Sequence, residues 1–199
     1  MRCPVAADPV TPGYDALGIE GYYRAHALDY RNPHEPAVRE LLAAVAPSLD
    51  LARVLDLACG SGEVTLALPT AVSTEAADPY TADAYLARTG RVAEPVDFAS
   101  IAAGALAGRS WSVIVCSFAL HLVEPSRLPV LCRALADLTP TLVVVTPHKR
   151  PEIRAGWGWA VPPVQTMRNR VRLRVYASTR LPPWLTPEAN GRNGSERVA

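Results

Sequence analysis

The sequence predicts an α/β fold: a doubly wound, mostly parallel sheet. Three observations lead there. The segments 111–117 (WSVIVCS) and 141–147 (TLVVVTP) are continuous β-branched runs, the pattern of parallel strands covered on both faces. Between them Leu128, Leu131, Leu135 and Leu138 recur at the spacing of one helix face. Upstream, the apolar run 53–58 (RVLDLA) stops at a small, turn-prone cluster and restarts as a helical pattern, which reads as a strand, a tight glycine loop and a helix start. Strands alternating with helices wind a sheet in this way.

Residues 1–17 are rich in Pro and Ala without periodicity and are expected to form a flexible arm. From Ile19 to Val45 the chain has helical character in two pieces, divided at NPHEP. Pro33 and Pro36 end one piece and begin the next, since proline suits a first turn but not a helix interior. In the second piece Val38, Leu41, Leu42 and Val45 share a face. Residues 18–47 are thus expected to cap the domain that runs from 18 to 178.

Beyond the glycine loop, 71–78 (AVSTEAAD) contains a second strand and 91–97 (RVAEPVD) a third, whose Pro95 suits a sheet edge. Near the end Val171, Leu173 and Val175 alternate with Arg170, Arg172 and Arg174, which is strand periodicity. No helix fits between this run and PPVQTM, so an antiparallel hairpin turning at Arg168–Asn169 is expected. The arginines at 168, 170, 172 and 174 should then project to one solvated face that discourages edge pairing. Residues 179–199 turn polar and are expected to be a disordered tail.

The 199 residues fit one domain, and a net charge of +1 gives no overall pull toward nucleic acid or membrane. Cys3, Cys59, Cys116 and Cys132 form no CxxC pair and have no metal-ligand spacing, so reduced thiols and no metal are expected. The start has no apolar core of signal-peptide length, and no apolar run is long enough to span a bilayer. These readings point to a soluble, cytoplasmic protein.

The glycine loop narrows the ligand. A dinucleotide fingerprint requires G-x-G-x-x-G; Gly60 and Gly62 fit the first two places, but Thr65 occupies the third. No GK(S/T) follows, which excludes a P-loop. Asp56, near the end of the strand, would repel a pyrophosphate and favour a cationic ligand. S-adenosylmethionine, with an ammonium, a sulfonium and no phosphate, fits that charge.

VLDLACGSG resembles the first motif of the class I S-adenosylmethionine-dependent methyltransferases, usually LD(L/I)GCGTG, with Ala58 in place of the first glycine. The resemblance covers roughly residues 20–176 and implies a seven-stranded sheet of order 3-2-1-4-5-7-6. It implies that Asp56, Ala58, Gly60 and Gly62 hold the methionine portion of the cofactor. Asp78, ending the second strand, would accept the ribose hydroxyls, for which a carboxylate has two oxygens. Asp97 and Phe98 would contact adenine, and Cys116 would end the fourth strand beside the methyl group. Ser112 stands where many relatives carry an acid. Aromatics or an arginine of the amino-terminal segment, here Tyr23 and Arg31 with Tyr22 and Tyr30, would touch the methionine end.

His121 and His148 both follow strands whose carboxyl ends should face the ligand, so either could serve as a general base. Methyl transfer from a sulfonium also proceeds by alignment alone. No (N/D)PP(Y/F) sequence follows the fourth strand, which disfavours exocyclic amine chemistry on DNA. With no separate substrate domain, a small-molecule methyl acceptor is expected. The alternatives are RNA or a protein side chain, a silent cofactor-binding partner subunit, and a nicotinamide-dependent oxidoreductase.

Overall fold

The computed structural model describes residues 31–181. The expected arm, the first helical piece with Tyr22, Tyr23 and Tyr30, and most of the expected tail lie outside the described residues. Helix α1 (Glu35–Val45) carries Pro36 in its first turn and buries Ala37, Val38, Leu41 and Leu42. The chain then forms β1 (Val54–Leu57), α2 (Glu63–Ala67), β2 (Thr74–Ala77), α3 (Ala82–Thr89) and α4 (Phe98–Ala102). These are followed by β3 (Val113–Ser117), α5 (Leu128–Ala136), β4 (Thr141–Thr146), β5 (Val164–Arg168) and β6 (Val171–Ala177).

The strands make one mixed sheet in the order β2-β1-β3-β4-β6-β5. The first four are parallel, while β6 runs antiparallel to β4 and to the edge strand β5. Strand parity sorts the core. Val54, Val113, Val115, Val143 and Val145 face α1 and α2, whereas Leu55, Leu57, Ile114, Cys116 and Leu142 face α4 and α5. Leu131 and Leu135 of α5 complete the second layer. Each such buried Leu or Ile contributes about 1.5–3 kcal/mol relative to exposure.

The sheet has six strands where seven were expected. The segment around Ala93 does not form a third strand and makes a single parallel bridge, Ala77 to Glu94. Glu94 bonds Ala76 and Asp78, but the Val96 amide, next in line on that edge, turns back onto the Glu94 carbonyl and ends the ladder. Ser112 replaces the expected acid with its own contact: its hydroxyl accepts from the Arg53 amide and donates to the Arg53 carbonyl, both at 2.9 Å.

The hairpin turns one residue later than expected, at Asn169–Arg170, both with left-handed φ (46° and 66°), because Arg168 still pairs with Val171. The arginines do not form one solvated face. Arg174 is 8% exposed and binds Gln165 and the carbonyls of Lys149 and Pro151. Arg172 donates to the Pro147 carbonyl. The segment leaving β4 crosses this face of β6, and its free carbonyls take up the guanidinium donors.

Candidate functional site

The loop joining β1 to α2 bends through three left-handed residues, Ala58 (φ 54°), Gly60 (φ 56°) and Gly62 (φ 93°). A β-carbon on Gly62 would lie 2.6 Å from Thr89 Cγ2, so only glycine lets the loop pack on α3. Asp78, just past β2, fastens this loop. Its Oδ2 accepts from the Gly60 amide at 3.1 Å, and its Oδ1 accepts from the Tyr80 and Thr81 amides at 2.8 and 3.1 Å. Thr81 Oγ1 adds a bond to the Gly60 carbonyl.

A cavity of about 670 Å³ opens at the carboxyl edge of the parallel strands, within the usual range for ligand pockets and at the usual place in such sheets. Ala58, Gly60 and Asp78 line its middle, and Asp97 and Phe98 line it beyond them. Towards α2 its wall is polar, with Asn32, Glu63 and Ser117. Towards α5 it is mixed, with the apolar Ala102, Leu122, Val130 and Leu131 beside Glu124, Ser126 and Arg127. Asp97 also caps α4: its Oδ1 accepts from the Ser100 amide at 2.7 Å, and the Ser100 side chain together with that amide holds its carboxyl below the usual range.

Other expected site residues do not line the cavity. Asp56 has the parity of Val54 and so points at α2, where it is fully buried. Its Oδ2 accepts the Thr65 amide at 3.1 Å and the Thr65 hydroxyl at 2.7 Å, and Thr65 Oγ1 lies 3.0 Å from Tyr85 Oη. Cys116 faces α5 and is 0% exposed; burial pushes its thiol up to about 12. Gly62 shapes the loop from behind, and Arg31 is exposed and away from the cavity wall. Tyr23 lies outside the described residues.

His121 and His148 meet each other, with ring centroids 4.4 Å apart, and neither lines the cavity. Burial, with His148 adding to it, pushes His121 down to about 4, and its Nδ1 is buried without a partner among the described residues. A second ring pair, His34 stacked on Phe118 at 5.2 Å, borders the cavity through Phe118.

Glu63 is the wall residue that sequence reasoning missed. It begins α2, is 6% exposed, and its Oε1 accepts from the Asn32 amide and Ser61 Oγ at 3.2 and 3.0 Å. Burial raises its carboxyl above the usual range. Its place directly after the loop's last glycine was the available signal. Ser117 Oγ, likewise missed, is buried and has no partner among the described residues.

An uncharacterized protein of Schizosaccharomyces pombe is 31% identical over 193 residues, an alignment taking in 72% of this chain and 77% of that protein. The chain belongs to that protein's family. No family model matches the sequence. Among solved structures, magnesium protoporphyrin IX methyltransferase of Synechocystis PCC 6803 with bound SAM (S-adenosylmethionine) matches at a TM-score of 0.54 and 16% identity, over 89% of this chain and 100% of that one. The N-methyltransferase NodS of Bradyrhizobium japonicum WM9, in complex with S-adenosylhomocysteine, matches at 0.57 and 16%, over 84% of this chain and 98% of that one. The fold is that of the class I methyltransferases. Among the described residues, no helix is long and apolar enough to cross a membrane.

Proposed function

We propose that this chain is an S-adenosylmethionine-dependent methyltransferase acting on a small-molecule acceptor. The observation that carries this reading is the charge of the cavity wall. Among the described residues, Glu63, Asp78, Asp97 and Glu124 line it against one cation, Arg127. Such a wall repels the pyrophosphate of a dinucleotide and attracts a ligand bearing sulfonium and ammonium charges. The two methyltransferase structures described with that cofactor or its product support the choice.

The residues present fit the group. The left-handed loop at Ala58 and Gly60 brings backbone, not side chain, to the cavity, leaving room for the methionine portion. Asp78 retains acceptor capacity beyond its three amide bonds, since each carboxylate oxygen has two lone pairs, and would hold the ribose. Asp97 and Phe98 would take the adenine edge and face. When bound, S-adenosylmethionine supplies a methyl group made electrophilic by the positive sulfur. Ser117 and Phe118, at the end of β3 beside Ala58, would orient the acceptor. His121 and His148 are not needed for this reading, because displacement at a sulfonium methyl can proceed by approximation and alignment of the two reactants.

A small acceptor suits the size of this cavity and the apolar contacts that Leu122 and Leu131 offer in its wall. The test is incubation with S-adenosylmethionine labelled on its methyl group and a panel of small phenols, amines, thiols and carboxylic acids, with a transfer RNA pool and a protein extract as separate arms. Label in the small-molecule fraction supports the proposal. Label confined to RNA or protein replaces its acceptor class, and no transfer in any arm counts against catalysis by the chain alone.

A further inference from the structure

Glu63 is a buried carboxylate at a cavity wall, and among the described residues no cation pairs with it directly. The nearest, Arg88, is committed elsewhere: its Nη2 binds both oxygens of Glu35 at 2.9 and 3.1 Å, and its Nη1 reaches Ser61 Oγ at 3.0 Å. Ser61 thus stands between Arg88 and Glu63. Burying an ionised carboxylate is costly unless a cation or several donors compensate it. Two neutral donors, the Asn32 amide and Ser61 hydroxyl, meet Glu63 Oε1. A cation supplied by the ligand would complete the pairing.

The surroundings agree. Asn32 and Ser117 line the cavity with Glu63, while the lining cation among the described residues, Arg127, stands at the start of α5. Asp56, the carboxylate expected from the sequence to meet a cationic ligand, is turned away behind Thr65. We propose that Glu63 is the counter-ion for a primary ammonium carried by the cavity's ligand. Resting on the cofactor reading above, this is the α-ammonium of the methionine portion, and Glu63 is the residue that discriminates cofactor from cleaved or deaminated relatives.

The experiment compares three probes by calorimetric titration: S-adenosylhomocysteine, its analogue with hydrogen in place of the α-amino group, and 5′-methylthioadenosine. The wild-type protein should prefer the first over the second by about tenfold or more, the range of a charge-assisted hydrogen bond. Glu63→Gln keeps an oxygen for Asn32 and Ser61. It should reduce that preference to within about threefold while leaving methylthioadenosine affinity within the same margin. Asp56→Asn should keep the preference.

Equal wild-type affinity for the amino and des-amino probes overturns the proposal and leaves the cofactor reading standing; this arm needs no variant. Retained preference in Glu63→Gln, or equal weakening of all three probes, also overturns it. If no probe binds the wild-type protein, the cofactor reading falls and the proposal falls with it.

Discussion

Asp56 in β1 holds the amide and the hydroxyl of Thr65 in α2 with a single oxygen, Oδ2, at 3.1 and 2.7 Å, while its Oδ1 is buried without a partner among the described residues. The carboxyl therefore ties strand to helix from inside the core.

Burial pushes Asp56 from 3.8 up to about 8. A group whose folded pKa is raised contributes stability that is full below its unfolded pKa and is lost as pH rises through the folded one. The window for Asp56 accordingly runs from 3.8 to about 8. Asp56→Asn keeps an oxygen for Thr65 and removes the titration. Across this window the unfolding free energy of Asp56→Asn, from urea titrations, should rise relative to that of the wild-type protein, by about 1 kcal/mol or more near the upper end. Parallel pH profiles would contradict the assignment.

His121 acts in the opposite direction. Its folded pKa is lowered from 6.5 to about 4, so the neutral ring is favoured in the fold and stability is lost as pH falls between these values. His121→Phe keeps an aromatic ring against His148 and should flatten the acid limb of the stability profile. A His121 ring-proton resonance, assigned by its loss in His121→Phe, that titrates near 6.5 would be inconsistent with this account.

Ala58 holds φ 54°, a conformation that costs a residue with a β-carbon about 1–2 kcal/mol. Ala58→Gly relieves it at the expense of a more flexible unfolded chain. A net gain of about 0.5–1 kcal/mol is expected from denaturant unfolding. A loss would mean that the Ala58 methyl has packing value beyond its strain.

Gly62 lies under the side chains of α3. Gly62→Ala adds a carbon 2.6 Å from Thr89 Cγ2 at φ 93°. The variant should lose about 1–3 kcal/mol of stability. Pairing it with Thr89→Ser, which removes that methyl, should recover part of the loss.

Much of the fold was legible because strand and helix periods differ. The β-branched runs became β3 and β4, and the leucine spacing became the buried face of α5. The alternation of Val171, Leu173 and Val175 marked β6. What the pattern did not carry was tertiary accommodation. Arg174 reads as a surface residue until the carbonyls of Lys149 and Pro151 pass over it, and β6 alone does not reveal that crossing. Around Ala93, residue preferences suggested a strand, but the Val96 amide bonds the Glu94 carbonyl instead of continuing along β2, which limits the pairing to one bridge.

The site was legible where a local motif determines geometry. The small residues at 58, 60 and 62 coincide with the three left-handed positions, and Asp78 reaches them from the next strand. Asp56 shows how a motif can name a residue without its direction. Its parity with Val54 already placed it on the face covered by α2. A glutamate opening a helix carries no burial signal of its own; Glu63 is buried in the fold, where the Asn32 amide, 31 positions away, reaches its Oε1.

The acidic-walled cavity at the carboxyl edge of the sheet is proposed to take S-adenosylmethionine. The decisive measurement is calorimetric titration of the wild-type protein with S-adenosylhomocysteine, with NAD in parallel. One site for S-adenosylhomocysteine with a Kd of about 1–100 µM, and no measurable heat with NAD, is expected. Binding of NAD, or no heat from S-adenosylhomocysteine at millimolar concentration, would contradict it.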